Sequence, residues 1–235
     1  MLLKDENKIQ IVVYTAIFGD IIDALRTHCK QTEDNNYTIS FVAFLDDTKI
    51  DQSNKEKSGW KISPPQFYLP NPRRQARAHK VLAHEIFPDC HYSLWIDGCF
   101  QLTHSNVAEL ITRHLGETDI CVFRHKSRNC VYDELEACID QEKDDPEIMT
   151  SQVTQYLKEG YPKNNGLGET TAVLRRHTET TKKFNELWWN EISKASCRDQ
   201  LSFDYTAWKL GIKYSTFPGS CYVNPYFNWV RYSKD

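Results

Sequence analysis

"HYSLWIDGCF", residues 91–100, decides how the rest of the chain is read. Tyr92 to Ile96 is the apolar run of a buried strand, and it ends on Asp97 and Gly98. Asp-Gly is ordinary turn chemistry, which is one reading. The other is that open α/β sheets place their ligand chemistry at the carboxyl ends of the strands. The surrounding elements decide between them.

Working outward, "IQIVVYTAIFG" (9–19) and "YTISFVAFLD" (37–46) are two more β-branched, apolar runs. "DIIDALRTHCKQ" between them has helical character, so the opening reads β-α-β. Residues 47–60 are polar and read as an exposed loop, and residues 60–70 hold a short strand broken by Pro64 and Pro65. "NPRRQARAHKVLAHEIFP" (71–88) is the clearest helix: Asn71 caps it, Pro72 suits its first turn and Pro88 stops it. Beyond the opening strand, the pattern predicts a helix over 105–115, a strand over 119–126 and helices over 131–143 and 146–160. It then predicts a strand within 166–177, helices over 178–196 and 198–211, and an aromatic, irregular tail. Strands alternating with helices predict an α/β fold with a mostly parallel sheet covered on both faces.

The bulk properties exclude several classes. A net charge of −3 gives no reason to expect a nucleic-acid partner. No apolar run approaches the roughly 20 residues that span a bilayer, and "MLLKDENKIQ" lacks a signal region, so the expectation is no transmembrane segment and a cytoplasmic location. Eight cysteines without metal-type or CxxC spacing read as reduced thiols used as small core residues. No Gly-x-Gly-x-x-Gly or P-loop signature follows the first strand.

Four sets of residues carry candidate chemistry. At the first strand's exit, Tyr14, Thr15 and Ala16 would meet a nucleoside, with Asp46 helping from the second strand. Arg73, Arg77, Lys80 and His84 share one face of the helix after Asn71, and a cationic stripe at a helix N-terminus suits a diphosphate, although basic stripes are often only solvated faces. Asp97 would bind a divalent ion or sugar hydroxyls, and Gly98 would let backbone approach the ligand. The usual Asp-x-Asp pair is incomplete because its third position is Cys99, a poor ligand for Mg²⁺ or Mn²⁺. Downstream stand Glu169, Arg175, Arg176, His177, Arg198, Asp199 and Gln200, with His125 and Arg128 as further pocket candidates. Asp199 alone would be explained as a helix cap.

"YTAIFGD", "YSLWIDG", "RHKSRNCVYDE", "GLGETTAVLRRH" and "WWNEISKASCRDQLSFDY" occur here in an order that resembles the glycosyltransferase family once catalogued as domain of unknown function 616. The resemblance covers roughly residues 10–230. It implies a single GT-A domain, Rossmann-like, with about 9–100 forming the nucleotide-sugar half and about 101–235 the acceptor half. It implies transfer from a nucleotide-sugar, UDP-sugar favoured, to a glycan or other hydroxyl acceptor in polysaccharide synthesis. Asp97 looks like the first Asp of Asp-x-Asp, so Mn²⁺ or Mg²⁺ there is an expectation resting on one carboxylate. Asp199 and Gln200 resemble the Asp-Gln at the sugar end of GT-A pockets. His125, Arg128, His177 and Arg198 fall on the acceptor or sugar side.

Glycosyl transfer needs cations for the departing diphosphate, here Arg73, Arg77 and Lys80. An inverting enzyme needs a base, for which Glu169 and Asp199 are the candidates, whereas a retaining one would place Asp199 or Gln200 by the anomeric carbon. The alternative reading is an inactive pseudo-transferase that binds nucleotide-sugar or carbohydrate, which Cys99 favours. A nucleotidyltransferase is disfavoured, since "IFGDIIDAL" has neither a glycine run nor a basic residue.

Overall fold

The computed structural model describes residues 8–19, 25–46 and 59–230. Its centre is a seven-stranded sheet in the order β3-β2-β1-β4-β7-β6-β8. The strands are β1 (Ile9–Ile17), β2 (Tyr37–Leu45), β3 (Lys61–Ser63), β4 (Tyr92–Ile96), β6 (Ile120–Arg124), β7 (Gly168–Arg176) and β8 (Ser215–Thr216). β1 runs parallel to β2 and β4, and β2 to β3. A second, two-stranded sheet pairs β5 (Phe100–Leu102) with β9 (Phe227–Trp229). This is the mixed, mostly parallel α/β layout expected from the sequence, Rossmann-like, with its main sheet drawing strands from both halves of the chain.

β7 is the exception to the parallel rule, running antiparallel to both β4 and β6. Its pairing with β6 slips: the partner of Cys121 is Leu174, but that of Phe123 is Glu169. β6 thus advances two residues while β7 passes five, and the surplus makes a bulge around 170–173. Bulges of this kind re-aim side chains and recur beside active sites.

Alternation along the strands builds a core on each face. Ile11, Val13, Leu94, Ile96, Ala172 and Leu174 pack against α3 (Val107–His114) and the aromatic residues Phe217, Tyr226 and Phe227. The neighbouring residues Val12, Tyr14, Trp95 and Val173 pack on the other face, against α6 (Glu179–Lys194) and α7 (Asp199–Leu210). α1 (Pro72–Val81) packs on that same face. A third cluster joins α4 (Val131–Asp140) and α5 (Pro146–Lys158) to α7 through Tyr156, Tyr161 and Tyr205. The tail expected to be irregular supplies β8 and β9. Residues 25–34 are not helical, and the rest of the expected helix between β1 and β2, with most of the 47–60 loop, lies outside the described residues.

The helix expected over 71–88 divides at Leu82 into α1 and the short α2 (Ala83–Ile86). The Asn71 side chain accepts from Arg74 N at 3.1 Å, and Pro72 opens the helix. The Arg74 guanidinium donates to the carbonyls of Ile192, Ser193 and Ala195, groups that α6 leaves unpaired at its C-terminus. α1 is thereby held against the end of α6. Among the described residues, no helix is long and apolar enough to cross a membrane.

Candidate active site

The carboxyl ends of β1 and β4 meet the N-terminus of α1 around a cleft of about 250 Å³. Ala16, Ile17, Phe18, Pro72 and Ala76 form an apolar wall, while Arg73, Arg77 and Asp97 bring charge. Gly98 and Cys99 close the far side. Pro72 has no N–H and the Arg74 N–H is taken by Asn71, so the anion-binding character here comes from the guanidinium groups beside the positive end of the helix dipole.

Beneath this cleft lies a charge cluster. Asp199 is almost wholly buried, yet Lys80 Nζ stands 2.5 Å from its Oδ2 and Arg77 Nε 2.9 Å from its Oδ1. Thr170 Oγ1 donates to Asp199 Oδ2 at 2.8 Å and accepts from Lys80 Nζ at 3.1 Å. Lys80 Nζ also lies 3.6 Å from Asp97 Oδ1, and Arg77 Nη1 3.9 Å from it. Trp95 Nε1 donates to that same oxygen at 2.7 Å. Burial would raise the Asp199 carboxyl, but Arg77 and Lys80 overcome it and hold the group far below the usual carboxylate range. Burial lowers the Lys80 ammonium, with Asp199 and Asp97 restoring part of the loss.

Local sequence explains these positions. Arg77 and Lys80 are three apart on α1, so both turn inward, whereas Arg73 is exposed and donates to Lys143 O at 3.0 Å. Asp199 is the first residue of α7, but its carboxylate points to the cations and does not cap the helix. Its backbone carbonyl accepts from Trp188 Nε1 at 2.9 Å. The preceding turn is fixed by Asp144, which accepts from Ser196 Oγ at 2.6 Å and Cys197 N at 2.9 Å. The bulge in β7 delivers Thr170, which the sequence reading did not single out. "GETT" at the start of a strand was the available signal.

Other expected site residues divide. Ala16 and Gly98 line the cleft. Tyr14 does not: its ring is enclosed in the core, where its hydroxyl donates to Lys80 O at 2.8 Å and accepts from Arg175 Nη1 at 3.0 Å. Thr15 is buried as well. Asp46 accepts from Gly19 N at 3.3 Å, tying together the exits of β1 and β2, and Gly19 supplies the positive φ of +83° that this turn needs. Lys80 lies below the cleft floor rather than in its wall.

Glu169 and Gln200 are buried, and Glu169 Oε2 has no hydrogen-bond partner. His125, Arg128 and Arg198 gather around α4. Arg128 Nε pairs with Glu134 Oε2 at 2.6 Å, His125 Nδ1 accepts from Arg128 N at 2.9 Å, and Arg198 reaches Cys138 beside Glu134.

His177 is placed elsewhere. Because β7 runs antiparallel to β4, its end lies at the start of β4, where His177 N donates to His91 O at 2.9 Å. Six residue steps of strand rise then separate it from Asp97, roughly 20 Å. It shares a separate cleft with His84, and burial lowers its imidazole to about 4.

The residues present do not fit a divalent ion. Asp97 Oδ1 already faces Trp95, Lys80 and Arg77, and both oxygens of Asp199 are engaged by cations. At the third position stands the half-buried Cys99 thiol, a soft donor poorly matched to Mg²⁺ or Mn²⁺. Among the described residues no three His, Cys, Asp or Glu side chains converge as a metal site.

Comparison with known proteins follows the same line. A family model described as TOD1/MUCI70, glycosyltransferase-like domain, matches residues 3–220. A probable hexosyltransferase, MUCI70, of Arabidopsis thaliana is 29% identical over 225 residues, covering 86% of this chain and 38% of the relative. An alkaline ceramidase, TOD1, of the same plant is 25% identical over 227 residues, covering 85% of this chain and 48% of the relative. The chain thus spans less than half the length of either.

Proposed function

As the chain belongs to the TOD1/MUCI70 glycosyltransferase-like family, we propose that it transfers a hexosyl group from a nucleoside-diphosphate sugar, UDP-linked by expectation, to a glycan hydroxyl in polysaccharide assembly. One observation carries this reading: guanidinium groups and a helix N-terminus converge on a cleft lined by Asp97, with Asp199 paired to Arg77 beneath it. The apolar wall of Ala16, Phe18 and Pro72 suits a nucleobase and ribose. Arg73 and Arg77 take the diphosphate, and Lys80 works from below as a positioning residue for both carboxylates. The chemistry runs without a metal, since these cations meet the charge of the leaving group.

Of the two candidate bases, Asp199 is committed to Lys80 and Arg77 and is a poor proton acceptor. Glu169 has an oxygen without a partner and is the better one. In the proposed step the bond from the anomeric carbon to the β-phosphate oxygen breaks, and its electron pair leaves with the nucleoside diphosphate. The acceptor oxygen bonds to that carbon as its proton passes to Glu169, inverting the centre. Asp97, a fifth exposed, holds donor-sugar hydroxyls.

The test is a panel of UDP-, GDP- and dTDP-hexoses in EDTA and in Mn²⁺, read by melting temperature and by nucleoside-diphosphate release. The expected result is a shift with one nucleotide that survives EDTA, and release that Asp97→Asn reduces by about 100-fold or more. Binding without release would support the pseudo-transferase. Absence of any shift would remove the donor assignment.

A further inference from the structure

The segment after β8 returns to the cleft. β9 pairs with β5, which follows directly on the Asp97–Cys99 turn, and Val230 N donates to Cys99 O at 2.9 Å. Trp229 is thereby carried to the neighbourhood of the Cys99 thiol, which lines the cleft. Next to it stands Tyr222, at 5.5 Å between ring centroids with the planes 72° apart. Both rings face solvent, Tyr222 being 46% and Trp229 42% exposed. Two rings set nearly at right angles make an open corner. The Lys126 ammonium lies over one face of the Tyr222 ring, 4.4 Å from its centroid, leaving the other face for stacking and bringing hydrogen-bond donors close by.

Below Tyr222 is Glu169, 93% removed from solvent by its 7% exposure, with Oε2 unpartnered. The Cys221 thiol approaches the Glu169 carboxylate as a weak donor and Tyr222 lies within its electrostatic reach, as Cys99 does within that of Tyr222, while Oε2 itself has no partner. An unsatisfied buried acceptor costs stability and calls for an explanation. A hydroxyl delivered from the corner above would supply the missing donor.

We infer that Tyr222 and Trp229 form a saccharide platform that seats the acceptor glycan against Glu169. A sugar ring offers an apolar C–H face to an aromatic ring and hydroxyls to its surroundings, which is the combination of stacking surface, ammonium and carboxylate found here. The exposed apolar side chains of this segment are Tyr222, Val223 and Trp229. That area falls well short of the roughly 800 Å² per partner of a stable protein interface but matches one or two sugar rings. The inference rests on the transferase reading for its acceptor role, while the binding itself is separately measurable.

The experiment uses immobilised cellohexaose, xylohexaose and mannohexaose with the full chain and its Tyr222→Ala, Trp229→Ala and Trp229→Phe variants. A UDP melting shift is recorded on each. The expected result is binding of at least one hexaose, weakened tenfold or more by either alanine and partly kept by Trp229→Phe. The UDP shift and the unliganded melting temperature should stay unchanged in all three. No hexaose bound by the parent chain, or equal binding by the alanine variants, overturns the platform. Loss of the UDP shift in the parent chain instead refutes the donor reading and leaves the platform standing.

Discussion

Lys80→Met tests the charge cluster most directly. The substitution keeps the length and apolar stem of the side chain but removes the ammonium that stands 2.5 Å from Asp199 and 3.6 Å from Asp97. Asp199 then keeps the Thr170 hydroxyl at 2.8 Å and, as its close cation, Arg77, whose Nε lies at 2.9 Å but does not aim its hydrogen at the carboxylate. Removing one partner of a buried pair costs about 3–5 kcal/mol, and the surviving Arg77 places this case near the lower bound, about 3 kcal/mol. For a chain of this size each kcal/mol moves the melting temperature by about 2–4 °C, so a fall of roughly 6–12 °C is expected. A calorimetric double-mutant cycle with Asp199→Asn separates the pair from other effects, and its coupling should reach about 2 kcal/mol. A Lys80→Met protein melting within about 2 °C of the parent, or a cycle with coupling below about 0.5 kcal/mol, would refute the buried pairing.

Three further outcomes are expected. Gly168→Ala places a methyl carbon 2.9 Å from the Phe203 ring, where both strand and helix are fully packed, and should cost about 1–3 kcal/mol in denaturant unfolding. Arg74→Ala removes the donors to three carbonyls at the end of α6 and should cost about 2 kcal/mol. Arg74→Lys should recover little of this in the same assay, since an ammonium cannot span the acceptors that the fork reaches. Burial lowers His79 to about 4, where its Nε2 accepts from Gln66 N at 2.9 Å and Nδ1 donates to Gln75 O at 2.8 Å. The folded value lies below the unfolded one, so its contribution is complete at neutral pH and is lost as pH falls from about 6.5 towards 4. A pH series of unfolding free energies should slope downward through that window, less so in His79→Gln.

Much of the fold was legible because apolar runs and caps are local. Asn71 with Pro72, Asp145 with Pro146 and Thr178 mark helix starts where the structure has them. The direction of β7 was not legible, since alternation in "GETTAVLRR" is the same read either way. That unknown direction also misplaced His177, which parallel pairing would have brought to the cleft end. Tyr14 followed the rule that the end of β1 meets ligand, but alternation turns it to the face covered by Trp95 and Phe87. Asp97, Arg77 and Asp199 were each singled out against a plain structural explanation, a turn, a solvated stripe and a cap, and the structure brings the three side chains together. Thr170 was not found, because a threonine in a strand has many.

The bulge in β7 has a consequence of parity. Consecutive residues of a strand serve opposite faces, and here Thr170 addresses the buried cations while Glu169 lies with Cys221 and Tyr222 on the other side. In the proposed transfer, one strand serves the departing and the arriving halves with adjacent letters of its sequence. Deleting a single residue from 171–173 would not simply shorten the strand; it would exchange the two assignments, turning the carboxylate towards the ammonium and the hydroxyl towards the rim.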